Sequence, residues 1–305
     1  MIGVEAGSGL REATMLSEIL VAVTQVGVLT FVVTSMAAMG LGLTIDRILG
    51  PLGDVRTVVL LLAANFVVVP LVAVAAARLL PMEETTATAI IIYGCCAGAP
   101  FLPKLAQMAK GDVALSVGSM VLLMVVTVVY APIVLPLAVE GATVDAFQIA
   151  SSLVLFMLLP LGVALVVRAR YPDLAAGWVG PAGQVSTTAL LIGIAAGLLV
   201  SWRDIIGAIG SWVFVGTAIV LAVGLLAGYL AGLGRPGTTT RVTMLGTAQR
   251  NISAALVVAS SLGGDVTVLA MVAGILIPVV LIVLAGEFGR RVAADPAGAP
   301  GEAAA

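Results

Sequence analysis

The chain has 305 residues, of which 61% are hydrophobic and only 10% are charged. Its 14 basic and 16 acidic side chains are too few to cover the water-facing surface of a soluble protein of this length. With a mean hydropathy of +1.21, the sequence predicts an integral membrane protein, and the net charge of −2 without a basic cluster argues against nucleic acid as a partner. The absence of histidine excludes His-based zinc sites and Ser-His or Cys-His catalytic pairs.

About 20 apolar residues cross a 30 Å hydrocarbon core as a helix. Runs of that length are separated by charges and by Gly/Pro turns. We therefore predict an all-α membrane protein with nine transmembrane helices, at about 17–44, 56–80, 86–109, 112–138, 147–168, 183–201, 208–232, 240–262 and 265–287. They form a single transmembrane domain over 1–288, and the Ala-, Gly- and Pro-rich residues 289–305 are predicted to be a disordered cytoplasmic tail.

Basic residues collect on the cytoplasmic side of a membrane protein. With nine spans, one face receives ten of them: Arg47, Arg56, Lys104, Lys110, Arg168, Arg170, Arg235, Arg241, Arg290 and Arg291. The other face receives Arg11, Arg78 and Arg203. The sequence therefore predicts a multi-pass protein of the cell (inner) membrane with its N terminus outside and its C terminus in the cytoplasm.

Two of the nine spans contain residues that break a helix. The middle of the third contains Gly98, Pro100 and Pro103. Each proline removes a backbone donor and clashes with a preceding carbonyl, so a helix cannot run through unbroken. The middle of the eighth contains Gln249, Arg250 and Asn251 in apolar sequence. Irregular backbone at this depth survives only where protein encloses it, and we predict that both helices are interrupted and cross.

The two interruptions recur at one sequence offset. GDVALSV at 111–117 and GDVTVLA at 264–270 lie 153 residues apart, and Gly98 and Asn251 each lie 13 residues before them. We therefore predict two inverted repeats, the first of which lacks its first helix. Paired interrupted helices are typical of the substrate site of a secondary transporter, where half-helix N-termini favour an anion and freed carbonyls favour a cation.

Four segments resemble the bile acid:sodium symporter family, namely AAMGLGLTIDRI at 37–48, NFVVVP at 65–70, GCCAGAPFLPKLAQMAKGDVALSV at 94–117 and GTAQRNISAALVVAS at 246–260. The resemblance implies ten helices in inverted repeats of five, with some members lacking the first helix. It implies a core, here about 56–138 and 208–287, and a panel, here about 17–44 and 147–201. It also implies alternating-access transport of a small organic anion, often coupled to sodium.

The resemblance carries over unevenly to single residues. Asn65 keeps the amide oxygen of a family Gln that binds sodium, Ser116 keeps a hydroxyl, and Gln249 is the third candidate sodium ligand. Other family ligands fall on Leu102, Pro103 and Met120, or near Gly246 or Thr247. Because most sodium-binding side chains are missing, we expect little sodium dependence. We predict a site for the anion or an ion at Asn65, Gly98, Pro100, Pro103, Ser116, Ser119, Gln249, Arg250 and Asn251.

Arg250 is the most informative of these residues, because a charge at the bilayer centre costs roughly 2.5–3.5 kcal/mol on insertion scales. A guanidinium is always protonated and has five donors. We predict that it replaces bound sodium, satisfies freed carbonyls of the third span and faces a substrate carboxylate with paired hydrogen bonds. The competing interpretation is that Arg250 lies near a span end and reaches water.

Other functions stay open at this point. Cys95 and Cys96 suggest an arsenite or oxyanion carrier of the same superfamily as the alternative transporter, although cysteine is also a common core residue. A channel would need repeated subunits or a ring of like charges. An aspartyl enzyme would need two intramembrane acids, whereas Asp112 and Asp265 lie at predicted helix starts. We expect neither enzymatic activity nor a cofactor, and the oligomeric state is left open.

Overall fold

The computed structural model describes residues 2–142 and 144–294, and the regular structure of that part is entirely helical. Its α-helices are, in chain order, α1 (Ile2–Gly42), α2 (Ile45–Leu49), α3 (Val55–Ala63), α4 (Val69–Leu79), α5 (Glu84–Cys95), α6 (Leu102–Met108), α7 (Val113–Ala138), α8 (Ala146–Leu153), α9 (Leu159–Arg170), α10 (Pro172–Gly207), α11 (Val213–Ala231), α12 (Gly237–Ala248), α13 (Ile252–Ala259) and α14 (Gly264–Ala294). The all-helical prediction is confirmed for the described residues.

Seven helical segments of the described chain are long and apolar enough to cross a membrane, which makes this a multi-pass membrane protein. They are Ser17–Gly42, Val55–Leu79, Val113–Ala138, Ala146–Arg170, Pro172–Gly207, Val213–Ala231 and Gly264–Ala294. Each of them coincides with one of the nine predicted spans. Gly and Pro occur in the turns at 50–54, 81–83 and 232–236, where such residues favour turns over helix.

The third and eighth predicted spans are interrupted, as predicted. The first interruption lies between α5 and α6, and the second between α12 and α13. Pro103 lies in the first turn of α6, where its missing N–H is not needed. Gly98 has a φ of 79°, a conformation that favours glycine. The local chemistry of Gly98 and the two prolines therefore ends one helix and starts the next.

Two membrane-spanning helices contain a π-helical turn ahead of a proline. The turns are Ala64–Val68, before Pro70, and Val154–Leu158, before Pro160. A proline cannot donate to the carbonyl four residues earlier and its ring crowds that carbonyl, so a wider turn relieves the helix. Asn65 lies in the first of these turns and is fully buried.

Contacts divide the described chain into two compact units, and the first contains α1, α9 and α10. Small residues allow α1 and α10 to approach closely. A Cβ on Gly27 would lie 3.0 Å from the Gly193 Cα atom, and the Ser186 hydroxyl donates to the Phe31 carbonyl over 3.4 Å. Close approach at small residues is how helices associate in lipid, where apolar burial gives no driving force between them.

The second unit contains α2 to α8 and α11 to α14. Asp54, the N-cap of α3, accepts a hydrogen bond of 2.6 Å from the Thr57 hydroxyl. It also forms an ion pair of 2.5 Å with Arg235. The Thr57 hydroxyl, and secondarily the Arg235 guanidinium, hold the pKa of the Asp54 carboxyl below its ordinary value, although desolvation opposes them. This ion pair joins the turn before α3 to the turn before α12.

Two predicted boundaries differ from the structure. The sixth span was predicted at 183–201 but belongs to α10, which begins at Pro172 and continues through Pro181. Residues 289–294 of the predicted tail are helical, because Glu287 pairs with Arg290 and Arg291 at helical spacing. The rest of the predicted tail, 295–305, lies outside the described residues.

Candidate functional site

The two helix interruptions meet at Asn251. Its backbone N–H donates to the Cys96 carbonyl over 2.8 Å, and its side-chain amide donates to the Gly98 carbonyl over 3.0 Å. The same side chain caps α13 by accepting from the Ala254 N–H over 3.1 Å. One buried asparagine thus satisfies backbone groups that both interruptions leave without a helical partner.

The first interruption is held from α7 as well. The Thr127 hydroxyl donates to the Ala97 carbonyl over 3.0 Å. A Cβ added to Gly98 would lie 2.5 Å from the Met124 nitrogen, so α7 passes directly against this backbone. This role of Thr127 could not be predicted from the sequence, since a hydroxyl on an apolar helix gives no sign of its acceptor.

Arg250 is buried in the second unit, with 1% of its surface exposed. Its Nη1 donates to the carbonyls of Gly94 and Asn65 over 3.3 and 3.5 Å. Its Nη2 donates to the Asn65 Oδ1 over 2.8 Å and to the Thr247 carbonyl. The interpretation that Arg250 reaches water is therefore wrong. The prediction that it satisfies a carbonyl of the third span is confirmed at Gly94, in the last turn of α5.

The charge of Arg250 is partly offset by helix dipoles. Gly94 and Thr247 lie in the last turns of α5 and α12, and a helix C-terminus carries a partial charge of roughly −0.5. Among the described residues, no carboxylate forms an ion pair with Arg250. Two helix C-termini therefore stabilise the guanidinium where an acidic side chain would otherwise be needed.

The same geometry corrects one expectation about the substrate. Both terminal nitrogens of Arg250 donate to protein oxygens, and only its Nε lacks a hydrogen-bond partner among the described residues. Paired hydrogen bonds to a substrate carboxylate need two free donors on one edge of the guanidinium. The predicted paired contact does not fit, because a single N–H is free.

The side chain of Asn65 connects α3, α12 and the second interruption. Its amide nitrogen donates to the Leu61 carbonyl over 2.9 Å and to the Thr247 hydroxyl over 3.1 Å, while its oxygen accepts from Arg250. Thr247 therefore takes part through both its hydroxyl and its carbonyl. The sequence placed Thr247 near this site only through the family resemblance.

The other predicted site residues are buried or half-buried but make fewer contacts. The Ser116 hydroxyl donates to the Val113 carbonyl of its own helix over 2.6 Å. The Ser119 hydroxyl and the Gln249 Oε1 have no hydrogen-bond partner within the described part of the chain. Pro100 lies in the first interruption, and Pro103 is buried in α6. Their roles toward a substrate or an ion stay predictions.

The three candidate sodium ligands differ in the hydrogen bonds that they already make. Of the three candidate ligands, the Asn65 oxygen already accepts from Arg250 and the Ser116 hydroxyl is bonded within α7. Leu102 and Met120, at two further family ligand positions, are buried apolar side chains. The Gln249 Oε1 has no hydrogen-bond partner among the described residues, and the sodium-binding role of all three stays a prediction.

Cys95 and Cys96 are buried free thiols at the end of α5. In the described ranges, no cluster of three or more His, Cys, Asp or Glu side chains could hold a metal ion. The pair therefore lacks a third ligand of these types.

Comparisons with known proteins identify the family of the chain. A sequence model of the Sodium Bile acid symporter family matches residues 29–202, more than half of the chain. The chain is 30% identical over 199 residues to the "Probable sodium/metabolite cotransporter BASS1, chloroplastic" of Arabidopsis thaliana, which covers 64% of this chain and 49% of that protein. The chain thus spans about half the length of that relative. It belongs to the sodium bile acid symporter family, as its sequence motifs predicted.

Proposed function

We propose that this member of the sodium bile acid symporter family is a secondary transporter of a small organic anion that works by alternating access. The observation that carries the proposal is the meeting of two interrupted helices at Asn251, whose N–H groups bind carbonyls of the other interruption. Such backbone is stable in a membrane only inside protein, and in secondary transporters it forms the substrate site. The name of the Arabidopsis relative also describes a cotransporter.

The proposed architecture has nine spans in two inverted repeats. The two interrupted helices, added to the seven continuous segments, account for the nine. An offset of 153 residues carries both ends of α5, Glu84–Cys95, onto both ends of α12, Gly237–Ala248. Gly98 and Asn251 are related by this offset and are hydrogen-bonded to each other. Equivalent residues meet in this way near the two-fold axis of a repeat pair, which supports the proposal.

An anionic substrate follows from the charge of the site. Arg250 brings a permanent positive charge into buried surroundings, where no described carboxylate pairs with it. The C-termini of α5 and α12 offset part of this charge, and the Arg250 Nε–H, which has no partner among the described residues, can donate to an anion. We propose a small organic anion as substrate and the lipid bilayer as surroundings, with no cofactor, no nucleic-acid partner and no enzymatic reaction.

The decisive test is uptake by the purified protein in proteoliposomes. We expect one or more anions from a panel of labelled small carboxylates to accumulate or exchange above the level of protein-free liposomes. Asn251→Ala, which removes the bridge between the interruptions, should abolish this uptake. Thr44→Ala is the matched control, because it removes a comparable cap at α2, outside the interrupted helices. Failure of the folded wild-type protein to move any anion in the panel would refute the proposal.

The proposed orientation places the C terminus in the cytoplasm and rests on ten basic residues against three. A C-terminal fusion to green fluorescent protein should therefore fluoresce, and a fusion to alkaline phosphatase at the same point should be inactive. As the control, a phosphatase fusion after Met82, between α4 and α5, should be active. The reverse pattern at both points would show the opposite orientation.

A further inference from the structure

Arg250 lies at a point of the second unit where the structure collects oxygen atoms. Four of them accept from its guanidinium, namely the carbonyls of Gly94, Asn65 and Thr247 and the Asn65 Oδ1. Carbonyl and amide oxygens at the ends of interrupted helices are the groups that hold a mobile cation in secondary transporters. The position therefore has the chemistry of a cation site.

We propose that the guanidinium of Arg250 is a built-in cation that permanently occupies this site, so that no sodium ion binds there. The inference deepens the proposed transport function and rests on it only for its consequence, which is sodium-independent uptake. The guanidinium is attached to the chain, so the positive charge that a coupling ion would deliver is present in every conformation.

The electrostatics favour one cation and disfavour a second. The C-termini of α5 and α12 each carry a partial negative charge of roughly −0.5, which the guanidinium already offsets. A sodium ion placed about 4 Å from the guanidinium would be repelled by it. At an effective dielectric constant of about 20, the repulsion between these two positive charges taken alone corresponds to roughly a thousandfold loss of affinity. The uncommitted Gln249 oxygen is adjacent in sequence to this charge.

The bonding pattern also makes Arg250 a positioning residue. Its two terminal nitrogens tie the last turn of α5, the π turn at Asn65 and the last turn of α12 into one cluster. In a sodium-coupled carrier a bound ion would join such segments only while it is present. Here the connection is part of the chain, and it leaves only the Nε–H for direct contact with an anion.

Thermal unfolding of the purified protein in detergent tests the inference without any transport measurement. The probes are sodium chloride and choline chloride at equal concentration. We expect the wild-type protein to unfold at the same temperature in both salts. Arg250→Ala should unfold about 5–10 °C lower in choline chloride and should regain part of that loss in sodium chloride, because four oxygens are freed for the ion.

Three further variants make the result unambiguous. Arg250→Gln replaces Arg250→Ala if the latter cannot be purified, and it should respond to sodium in the same way. Arg250→Lys keeps a cation at the site and should be insensitive to sodium. Arg241→Ala removes an arginine of α12 that donates to the Lys110 carbonyl, and it should also be insensitive. Stabilisation of the wild-type protein by sodium, or an equal response of the wild-type protein and the two neutral variants, would overturn the inference.

The two proposals fail in different ways. If no anion is transported, the proposed function is wrong, while the sodium response of the variants still decides the role of Arg250. If an anion is transported only with an inward sodium gradient, the function stands and the built-in cation is wrong. We expect uptake by the wild-type protein to be equal in sodium and choline media.

Discussion

Gly98→Ala should abolish transport and lower the stability of the protein, whereas Gly141→Ala should leave transport intact. Gly98 has a φ of 79°, and a side chain in that conformation costs roughly 1–2 kcal/mol. The added Cβ would also lie 2.5 Å from the Met124 nitrogen and 2.8 Å from the Leu123 carbonyl carbon. Backbone atoms cannot move aside as a flexible side chain can, so overpacking adds roughly 1–3 kcal/mol.

Gly141 separates the two contributions. Its φ is 75°, so alanine has the same conformational cost there, but the nearest atom to its Cβ is the Leu262 Cδ2 at 4.0 Å. We expect the melting temperature to fall clearly further for Gly98→Ala than for Gly141→Ala, with uptake lost only in the former. Equal stability losses in the two variants would mean that α7 does not press on the first interruption.

The sequence allowed the helices and their interruptions to be predicted because both depend on local chemistry. Apolar runs of membrane length recur along the chain, and Pro100 and Pro103, three residues apart and close to Gly98, disfavour a continuous helix. The start of α10 was misplaced because the glycines around Pro181 are typical of a loop, whereas the helix continues through them from Pro172.

The oxygen cluster around Arg250 could be predicted only in outline. A buried cation in apolar sequence requires partners, and freed carbonyls were the natural choice. The carbonyls that bind Arg250 belong in part to Gly94 and Asn65, which lie 156 and 185 residues away in the sequence. Every residue has a backbone carbonyl, so the sequence does not show which of them contact Arg250. The number of donors left for a substrate is equally invisible, because it depends on how many protein oxygens converge on Arg250.

Asn65→Leu should be strongly destabilising, by about 2–4 kcal/mol, and part of the loss should be recovered when Arg250→Met is added. Asn65 is fully buried, and its side chain bonds to Leu61, Thr247 and Arg250. Leucine is similar in size but leaves the guanidinium without its best acceptor while the charge stays buried. Removing both partners eliminates that uncompensated charge, which is why the double variant should be more stable than the sum of the single changes predicts.

Unfolding of the four proteins of this cycle in mixed detergent micelles gives the coupling free energy, which we expect to be about 1–3 kcal/mol. Ser119→Ala is the control for loss of a buried polar atom. The Ser119 hydroxyl is buried and without a hydrogen-bond partner in the described chain, so its removal should be neutral or stabilising. A coupling free energy near zero would mean that the Asn65 side chain does not stabilise the buried charge of Arg250. In that case the helix C-termini at Gly94 and Thr247 would be enough to hold the guanidinium.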